Sequence, residues 1–434
     1  MALTGQHFNF HRLLLGQHIG SSKPPVLPRG VNSRLALGGH FYSGGDRHCH
    51  PTIINAMQRQ VERLHFAYRL HFRSDEAEQL AARLVELSDD NKGYAFFLNG
   101  GSEASEAAYR IALDHYRYQG KDQKNVALGR RITNHGNTIQ SLEYGDDRAR
   151  KVNLLGSAID PSISEVKLPP CYCLHCPMGK APQNCQLECV TESLDIIDRF
   201  GADRIACIFI EPITASSGGA LVPHERYMRE LKAGLVERDI LLIAAEIVTG
   251  LGRTGEWFNM KTWDTEADIT IVGKGLGAGF TPISGLLVSR SIGKQLASHN
   301  PPHFIGHTYS GNPLSTGIAM SVLNTVEHEV GLQAIRHKGR YLRGTLVERL
   351  SNLPCIADIR GQGLLWAVET TLNRSLAQKF IHCGHEHGIN LYACRSSGKD
   401  GQALTFLFTP PFIITEGEID ELVDRFRKVF DHAL

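Results

Sequence analysis

Ile271-Val272-Gly273-Lys274-Gly275-Leu276-Gly277-Ala278-Gly279-Phe280 carries one lysine between an apolar run and a series of glycines. The apolar residues 269–272 predict a buried strand, and the glycines predict a tight turn after it. A lysine held there, away from bulk water, has a lowered pKa and can form a Schiff base with a carbonyl compound. An exposed lysine in a glycine-rich turn is the alternative, and the rest of the chain favours the first interpretation.

Short apolar runs alternate with helical patterns on both sides of this lysine. The runs that we predict to be strands are residues 94–98, 126–132, 205–210, 240–244, 269–272 and 284–288. Such alternation predicts βαβ units, and therefore an α/β fold with a mainly parallel sheet. Ligands in folds of this kind bind at the carboxyl ends of the strands, which is where polar and glycine residues follow each run.

One of these strand ends has the features of an anion site. The run at 94–98 leads into Asn99-Gly100-Gly101-Ser102-Glu103, where a helical pattern begins. Backbone N–H groups and the helix dipole point toward such a turn, which is typical of a phosphate site, and the alternative is a turn that binds nothing. A second polar turn, Asn134-His135-Gly136-Asn137-Thr138, follows the run at 126–132.

Composition excludes several classes of partner. The 434 residues are 42% hydrophobic and 21% charged, as in an ordinary globular protein, and the formal net charge is +1. This charge gives no electrostatic reason to expect nucleic acid or a membrane surface as a partner. No apolar run approaches the roughly 20 residues of a membrane helix. The first residues lack the pattern of a secretory signal, so we expect a cytoplasmic protein.

The ten cysteines raise the question of a metal site. Five lie between Cys171 and Cys189, and their Cys-x₂-Cys and Cys-x₃-Cys spacings are similar to those of structural zinc sites. The alternative, which we favour, is a thiol-rich loop packed on the domain surface. His40, His48 and His50 lack a completing carboxylate or cysteine pattern, so we predict loop histidines and no metal there. Residues 146–166 are predicted to be a surface loop.

The pattern also divides the chain into domains. Residues 1–75 are predicted to be an N-terminal arm and part of a small domain, and residues 76–330 a large domain. Residues 331–434 complete the small α+β domain. Its predicted elements are strands at 364–368, 389–394 and 403–408, a helix at 375–387, and a last helix from Thr415.

From about residue 35 onward the chain resembles the class III aminotransferases, the ω-aminotransferase branch of pyridoxal phosphate (PLP) enzymes of fold type I. The motifs that carry the resemblance are Gly101-Ser102-Glu103-Ala104, His135-Gly136-Asn137-Thr138, Glu211-Pro212, residues 246–255, Gly273-Lys274-Gly275, Thr308 with Asn312-Pro313, and Pro410-Pro411. The resemblance implies a large domain with a mainly parallel, seven-stranded-type sheet flanked by helices. It also implies a small α+β domain from both termini, and a homodimer with shared active sites.

The resemblance further implies roles for single residues. Lys274 would form the Schiff base with PLP and move the proton of the substrate, and Glu211 would act beside it on the substrate side. The other residues implied at the cofactor are Gly101, Ser102, Asn134, His135, Ala245, Glu246, Val248 and, from the second subunit, Thr308. The implied reaction moves an amino group from an amine or amino acid to a carbonyl acceptor.

Three positions depart from the family pattern. Ala245 stands where the family has the aspartate that pairs with the pyridine nitrogen of PLP, and Asn134 replaces an aromatic residue that stacks on the ring. Leu407 occupies the place of an arginine that binds a substrate carboxylate, and a common Tyr-x-Asp motif is absent around residues 35–41. A weak electron sink leaves two alternatives to amino transfer. These are another PLP reaction, such as racemisation, elimination, decarboxylation or condensation, and a homologue without catalysis.

Overall fold

The computed structural model describes residues 50–88, 91–146, 148–151, 154, 156–299 and 305–434. Residues 1–49, which include most of the predicted N-terminal arm, His40, His48 and residues 35–41, lie outside the described residues. None of the described helices is both long enough and apolar enough to span a bilayer.

A six-stranded sheet carries the candidate site. Its strands are β1 (Lys92–Leu98), β2 (Val126–Gly129), β3 (Ile205–Ile210), β4 (Leu241–Ala245), β5 (Ile269–Val272) and β6 (Ser284–Ser289). Their order in space is β1-β6-β5-β4-β3-β2, and only β6 runs antiparallel to its neighbours. The four central strands β3 to β6 are buried along their whole length, as expected of a sheet covered on both faces.

Helices cover this sheet and connect its strands. They are α1 (Pro51–Arg63), α2 (Asp75–Leu87), α3 (Gly101–Arg117), α4 (Ile139–Tyr144), α5 (Arg148–Lys151), α6 (Pro161–Ser164), α7 (Glu188–Phe200), α8 (Tyr227–Glu237), α9 (Arg290–Ser298) and α10 (Pro313–Thr325). The apolar face of α3 packs on the sheet through Ala104, Ala108 and Ile111. The opposite face of the sheet is covered by residues of α7 and α8, including Ile197 and Leu231.

The last quarter of the chain contains a separate antiparallel sheet. Its strands are β7 (Ile356–Gln362), β8 (Leu365–Asn373) and β9 (Ala403–Phe408), in that order in space. It packs on helices α11 (Leu332–Leu350), α12 (Ala377–Glu386) and α13 (Glu416–Ala433) through a cluster of aromatic side chains. This confirms the α+β character of the last hundred residues, whereas the predicted domain boundaries at 75/76 and 330/331 remain a prediction.

Several predicted elements differ in extent. The predicted large sheet is of the seven-stranded type, and the described residues form six strands plus one isolated parallel bridge between Arg130 and Leu168 beside β2. The strand predicted at 126–132 ends at Gly129, and Ile132, at φ +60°, lies in the turn that follows. The strand predicted at 389–394 is wrong. Only isolated contacts, such as the bridge from Ala393 to Phe406, join that segment to β9.

The loop predicted at 146–166 is also wrong in part. This segment contains the short helices α5 and α6, and it is not confined to the surface. Lys151 is buried, and its Nζ donates to the carbonyl and the hydroxyl of Ser164, the hydroxyl at 2.8 Å. The sequence does not reveal this, because a lysine is buried only where carbonyl and hydroxyl oxygens replace its water, and the fold alone brings those oxygens together.

Candidate active site

Lys274 lies directly beyond the carboxyl end of β5. Gly273 continues the extended backbone, and Lys274 then turns into the left-handed region at φ +41°. This conformation is costly for a residue with a side chain and is found at functional sites where the surroundings impose it. Burial lowers the pKa of Lys274 to about 7, the negative charge of Glu211 opposes the shift, and the positive charge of Arg150 adds to it. A large share of the amine is therefore neutral, and nucleophilic, near pH 7.

The register of the strands places the other site residues beside this lysine. Ile210 is the partner of Ala244, and Ala245 is the partner of Ile271. Glu211, Ala245 and Ile271 consequently lie side by side across three neighbouring strands. Because the parallel strands end at the same edge, the residues that follow them surround one space.

A cradle for an anion opens at the start of α3. The carboxylate of Glu103 accepts the backbone N–H groups of Asn99 and Gly100, at 3.0 and 3.3 Å. The next N–H groups, in the first turn of the helix, have no acceptor within the helix. A Cβ at Gly100 would meet no atom within 4 Å, so this side of the turn is open. The helix of 17 residues thus presents N–H donors and a positive dipole end to open space.

Ser102 and the turn at Gly136 form the far wall of this cradle. The hydroxyl oxygen of Ser102 accepts the backbone N–H of Asn137 at 3.0 Å, which leaves the hydroxyl hydrogen for another acceptor. Gly136 has φ +145°, and a Cβ there would lie 2.9 Å from that hydroxyl. Only glycine therefore fits between the two elements. Ile247 forms the floor, 3.0 Å from where a Cβ on Gly101 would be.

Glu211 fixes the loop that carries Asn134 and His135. One carboxylate oxygen accepts the hydroxyl of Thr133 and the backbone N–H of Asn134, both at 2.9 Å. The other accepts the N–H of Ala215 at 3.3 Å. Burial raises the pKa of Glu211, while the bonds from Asn134 and Thr133 lower it. The carboxylate therefore positions the loop and adds negative charge near Lys274.

His135 is buried in its neutral form. Burial lowers the pKa of His135 to about 3, with a further contribution from Arg130. Its Nε2 lies 3.0 Å from the hydroxyl oxygen of Thr133, whose hydrogen goes to Glu211, so Nε2 carries the hydrogen in that pair. Its Nδ1 has no partner in the described part of the chain.

Ala245 occupies the same face of the sheet as His135. The residue two positions earlier, Ile243, is in register with Phe209, and both belong to the core under α3. The ring of His135 lies 5.4 Å from that of Phe209. Alternation along β4 puts the methyl group of Ala245, 5% exposed, on this face too.

The carboxylate of Glu246 accepts its hydrogen bonds from other residues of the chain. Its carboxylate accepts the N–H groups of Asn259 and Met260, at 2.7 and 2.9 Å, and the hydroxyl of Thr249 at 2.9 Å. Burial raises the pKa of Glu246 to about 7, against these bonds. The structure thus gives Glu246 a stabilising role between two segments of the chain, and its contact with a cofactor remains a prediction.

Val248 and Ile247 point to opposite faces of the sheet. Val248 packs into the core under α7 and α8, whereas Ile247 packs into the core under α3. Ile247 also lies 3.5 Å from where a Cβ on Gly273 would be, so it bridges the cradle and the lysine strand. The predicted contact of Val248 is untested, and the described geometry favours its neighbour.

Arg150, at α5, lies next to Asn134. Its Nη1 is 3.5 Å from Oδ1 of Asn134, the upper limit for a hydrogen bond. Leu407, by contrast, is a buried core residue of β9, 1% exposed. Thr308 is exposed at the surface of the chain, before α10. Among the described residues, the charges that act on the pKa of Lys274 are those of Glu211 and Arg150.

Comparison with known proteins decides the family. The family model for class III aminotransferases matches residues 43–430, nearly the whole chain. The chain belongs to the class III aminotransferase family. It is 32% identical over 388 residues to the uncharacterized aminotransferase YodT of Bacillus subtilis strain 168, covering 86% of this chain and 85% of that protein. It is 30% identical to the adenosylmethionine-8-amino-7-oxononanoate aminotransferase of Geobacter sulfurreducens, covering 88% and 84%.

Solved structures agree with this assignment. An (S)-enantioselective omega-transaminase from Thermomicrobium roseum superposes with a TM-score of 0.82 at 28% identity, over 91% of this chain and 87% of that one. This class III aminotransferase is therefore an enzyme of the transferase class with the expected α/β fold. Members of the family depend in general on PLP.

The described residues fit that cofactor at two of its ends. The open turn at Gly100 with the N–H groups of α3 suits a phosphate, and the amine of Lys274 suits an aldehyde. The buried Nδ1 of His135 has no partner in the described part of the chain. The sequence motifs did not predict Ile247, Thr133 or Arg150 at the site. Register and hydrogen bonds, rather than motifs, bring them to the site.

The cysteine segment lies apart from this site. Cys171 and Cys189 are buried, and the nine cysteines in the described ranges are free thiols. A hydrogen bond with Cys173 lowers the pKa of Cys171, but the bond with Cys189 and burial outweigh it and raise the pKa to about 12. Within the described ranges, no group of three or more histidine, cysteine or acidic residues is arranged to hold a metal. Buried Glu369 joins this segment to β8. One of its carboxylate oxygens accepts the hydroxyl of Tyr172, and the other lies 2.7 Å from Nε2 of His175.

Proposed function

We propose that this enzyme binds PLP at Lys274 and uses it to move an amino group from an amine or amino acid to a carbonyl acceptor. The observation that carries the proposal is Lys274 itself. Its amine lies at the carboxyl edge of the sheet, at a strained φ of +41°, with a pKa lowered to about 7 by burial. A lysine without a chemical role gains nothing from such a position.

The residues around Lys274 would hold the cofactor at its ends. The first-turn N–H groups of α3 and the hydroxyl of Ser102 would bind the phosphate, as the open turn at Gly100 permits. Ile247 would pack against one side of the ring, and Asn134 lies where the family stacks an aromatic side chain. When bound, PLP supplies an electron-withdrawing ring that lets the carbon bearing the amino group lose a proton.

Lys274 would carry that proton. About half of its amine is neutral near pH 7, so it can accept a proton from the substrate carbon and return it at another position. Glu211 contributes by position, because its three hydrogen bonds hold Asn134 and the backbone before His135 in place. Its negative charge favours the protonated form of Lys274 once the proton has moved.

Ala245 favours a second candidate function. We propose that it replaces the carboxylate that keeps the pyridine nitrogen protonated in the family. A charge-assisted hydrogen bond of that kind is worth roughly 1.5–3 kcal/mol. Without it the ring withdraws fewer electrons, which suits racemisation, elimination, decarboxylation or condensation better than amino transfer. The named relatives are aminotransferases, which is why we rank amino transfer first.

We also propose a homodimer, which an exposed apolar surface supports. Phe72 and Tyr309 are 64% and 62% exposed, and the nearby Val61, Leu64 and Leu70 are exposed as well. The ring of Tyr309 touches that of Phe66, 5.5 Å between centroids, so the two segments share one surface. Exposed apolar patches of this kind mark protein interfaces. Thr308 adjoins this surface, where it would reach the phosphate of a second subunit.

An absorption experiment tests the function. Purified protein is mixed with PLP, then with amino donors, and the release of keto product is measured. We expect a visible band that shifts with a donor and a keto product for each amino group lost. The Lys274→Ala variant should lack the band, while Lys294→Ala, which changes an exposed lysine of α9, should keep it. A shifted band without keto product would support the second candidate instead.

A further inference from the structure

The segment that carries Thr308 is fixed on its C-terminal side by its own turn. The hydroxyl of Ser310 accepts the backbone N–H of His307 at 2.8 Å, and the N–H of Ser310 donates to the carbonyl of His307 at 3.0 Å. Asn312 caps α10, and its side-chain NH₂ donates to the carbonyl of Tyr309 at 2.9 Å. Local hydrogen bonds therefore set the path of the chain after Thr308.

On its N-terminal side the segment is held by Arg69, a half-buried residue that lies 236 positions before Ile305. The Nη2 of Arg69 donates to the backbone carbonyl of Ile305. The guanidinium also lies over the ring of Phe96 in β1, with Cζ 5.1 Å from the ring centroid. Arg69 thus joins the backbone just before Thr308 to the edge of the large sheet.

Gly306 shows how closely Arg69 determines the path of this backbone. Its φ is +127°, a conformation that residues with a side chain rarely adopt. A Cβ there would lie 2.7 Å from Nη2 of Arg69 and 3.0 Å from Cζ of Phe96. The chain consequently passes against both groups with no room to spare. A movement of the guanidinium would change the path of the backbone that leads to Thr308.

Thr308 lies between these two points of attachment and is itself exposed. The ring of Tyr309, the next residue, contacts that of Phe66 at 5.5 Å between centroids. Residues 66–69 therefore contact the chain both before and after the threonine. A hydroxyl binds a phosphate well only when its support keeps it within a few tenths of an ångström of the right place. For an exposed threonine, that support has to come from its neighbours.

We propose that Arg69 is a positioning residue for the phosphate of the cofactor. It holds Thr308 of its own chain where the hydroxyl would reach the phosphate bound by the second subunit. This deepens the proposed function and rests on the homodimer proposed with it. Arg69 acts through the backbone of Ile305 and Gly306 and needs no contact with the phosphate. Its loss should weaken the binding of a phosphate-bearing cofactor and leave the chemistry at Lys274 unchanged.

Affinities for PLP and for pyridoxal, which lacks the phosphate, test this role. Each is titrated by absorbance into protein freed of cofactor. Arg69→Gln should weaken PLP binding roughly 10-fold, as expected when a hydrogen bond to a charged group is lost, and leave pyridoxal binding unchanged. Arg69→Lys keeps the charge without the planar fork and should lie between. Arg343→Gln removes an exposed arginine of α11, is the matched control, and should change neither affinity.

A double-mutant cycle separates positioning from a general loss of structure. If Arg69 acts through Thr308, the variant with both Arg69→Gln and Thr308→Ala should bind PLP no more weakly than Thr308→Ala alone. Additive losses would overturn the proposal. Gly306→Ala gives an independent variant, because its methyl group would displace the guanidinium, and it should lower PLP affinity in the same way. At saturating PLP, kcat of Arg69→Gln and Gly306→Ala should equal that of wild type.

Mixed dimers show which site Arg69 serves. Arg69→Gln refolded together with Lys274→Ala should recover one site of wild-type PLP affinity in each mixed dimer, because Arg69 and Thr308 of one chain serve the site of its partner. Analytical ultracentrifugation gives the oligomeric state of each variant. If dissociation into monomers accounts for the lost affinity, the proposal is wrong, because Arg69 would then stabilise the interface instead of positioning Thr308.

The outcomes distinguish this inference from the proposed function. Inorganic phosphate is titrated by calorimetry into the protein freed of cofactor. If PLP gives no visible band but phosphate binding depends on both Thr308 and Arg69, the proposed function fails and this inference stands. If amino groups are transferred while Arg69→Gln and Gly306→Ala bind PLP as wild type does, amino transfer stands and this inference is wrong. It is also wrong if Thr308→Ala leaves PLP affinity unchanged, or if neither PLP nor phosphate binding depends on Arg69.

Discussion

Lys274 shows how a single partly buried side chain sets the conditions of the reaction. With a pKa of about 7, roughly half of its amine is neutral at pH 7, compared with fewer than about one in a thousand for an ordinary lysine. The left-handed backbone at this residue adds strain that only the surrounding glycines and strands can support. The chemistry thus begins with a group that burial has already activated.

The lowered pKa of Lys274 predicts how the rate of PLP binding depends on pH. The rate constant for attachment of PLP to protein freed of cofactor should rise about tenfold per pH unit below pH 7 and level off above it, because only the neutral amine attacks. Stopped-flow absorbance measures the rate. Repeating it with pyridoxal, which lacks the phosphate, removes the titration of that group from the profile. A rate that keeps rising beyond pH 9 would mean that Lys274 titrates as an ordinary lysine.

Ala245 gives a second prediction at the scale of one residue. In Ala245→Asp the new carboxylate would be buried on the face of His135 and Phe209, so the protein without cofactor should melt at a lower temperature. PLP should restore that stability, and turnover in amino transfer should rise roughly tenfold or more as the ring nitrogen gains its partner.

Ala245→Asn is the matched control, since it has the same shape without the charge. Ala245→Asn should melt at a lower temperature than wild type. Its turnover should not exceed that of wild type, and PLP should not raise its melting temperature by more than it raises that of wild type. Equal turnover in wild type and Ala245→Asp would show that position 245 does not face the ring nitrogen. Faster amino transfer in wild type than in Ala245→Asp would favour the second candidate reaction.

At the scale of elements, Glu246 joins β4 to the segment at Asn259 and Met260. Both carboxylate oxygens accept backbone N–H groups, so an amide cannot replace the carboxylate without turning one NH₂ toward an N–H. Glu246→Gln should therefore lower the free energy of unfolding by about 1–3 kcal/mol, as expected for a buried group left unpaired. Urea unfolding measures this.

Glu256→Gln is the control for that change. Glu256 lies in the same segment but its contact is an exposed ion pair with Arg336, at 3.0 Å. Such surface pairs contribute between nothing and about 1 kcal/mol. If Glu246→Gln and Glu256→Gln lower the free energy of unfolding equally, the buried hydrogen bonds of Glu246 are not what holds the segment.

The elements also show what sequence could and could not predict. Continuous apolar runs predicted all six strands of the large sheet. The four central strands are buried on both faces and therefore need apolar residues throughout. The sequence-based predictions were less accurate for segments whose polar residues are buried. Residues 146–166 read as a surface loop, yet Lys151 is buried and Arg150 reaches the site. Glu246 was predicted at the cofactor because the motif contains it, while its bonds to Asn259 and Met260 depend on a fold that no local pattern encodes.

At the scale of the whole molecule, the proposed homodimer would complete the proposed phosphate site with Thr308 of the second subunit. Thr308 and Tyr309 are exposed together, beside the apolar residues between Val61 and Phe72. Phe72→Glu and Tyr309→Glu should each convert a dimer into monomers in analytical ultracentrifugation, because a charge would be buried at the interface. Val236→Glu changes a residue that is 61% exposed on α8, away from this surface, and should leave the dimer intact.

Mixing two inactive variants decides whether the sites are shared. A chain with Thr308→Ala keeps its own Lys274 but gives its partner no hydroxyl for the phosphate, and a chain with Lys274→Ala does the reverse. In a mixed dimer one site would combine both losses, while the other would receive Lys274 from one chain and Thr308 from its partner. Unfolding and refolding the two variants together should therefore restore PLP affinity and turnover in one site per mixed dimer. If Thr308 instead served its own chain, each site would keep one defect and mixing would restore nothing.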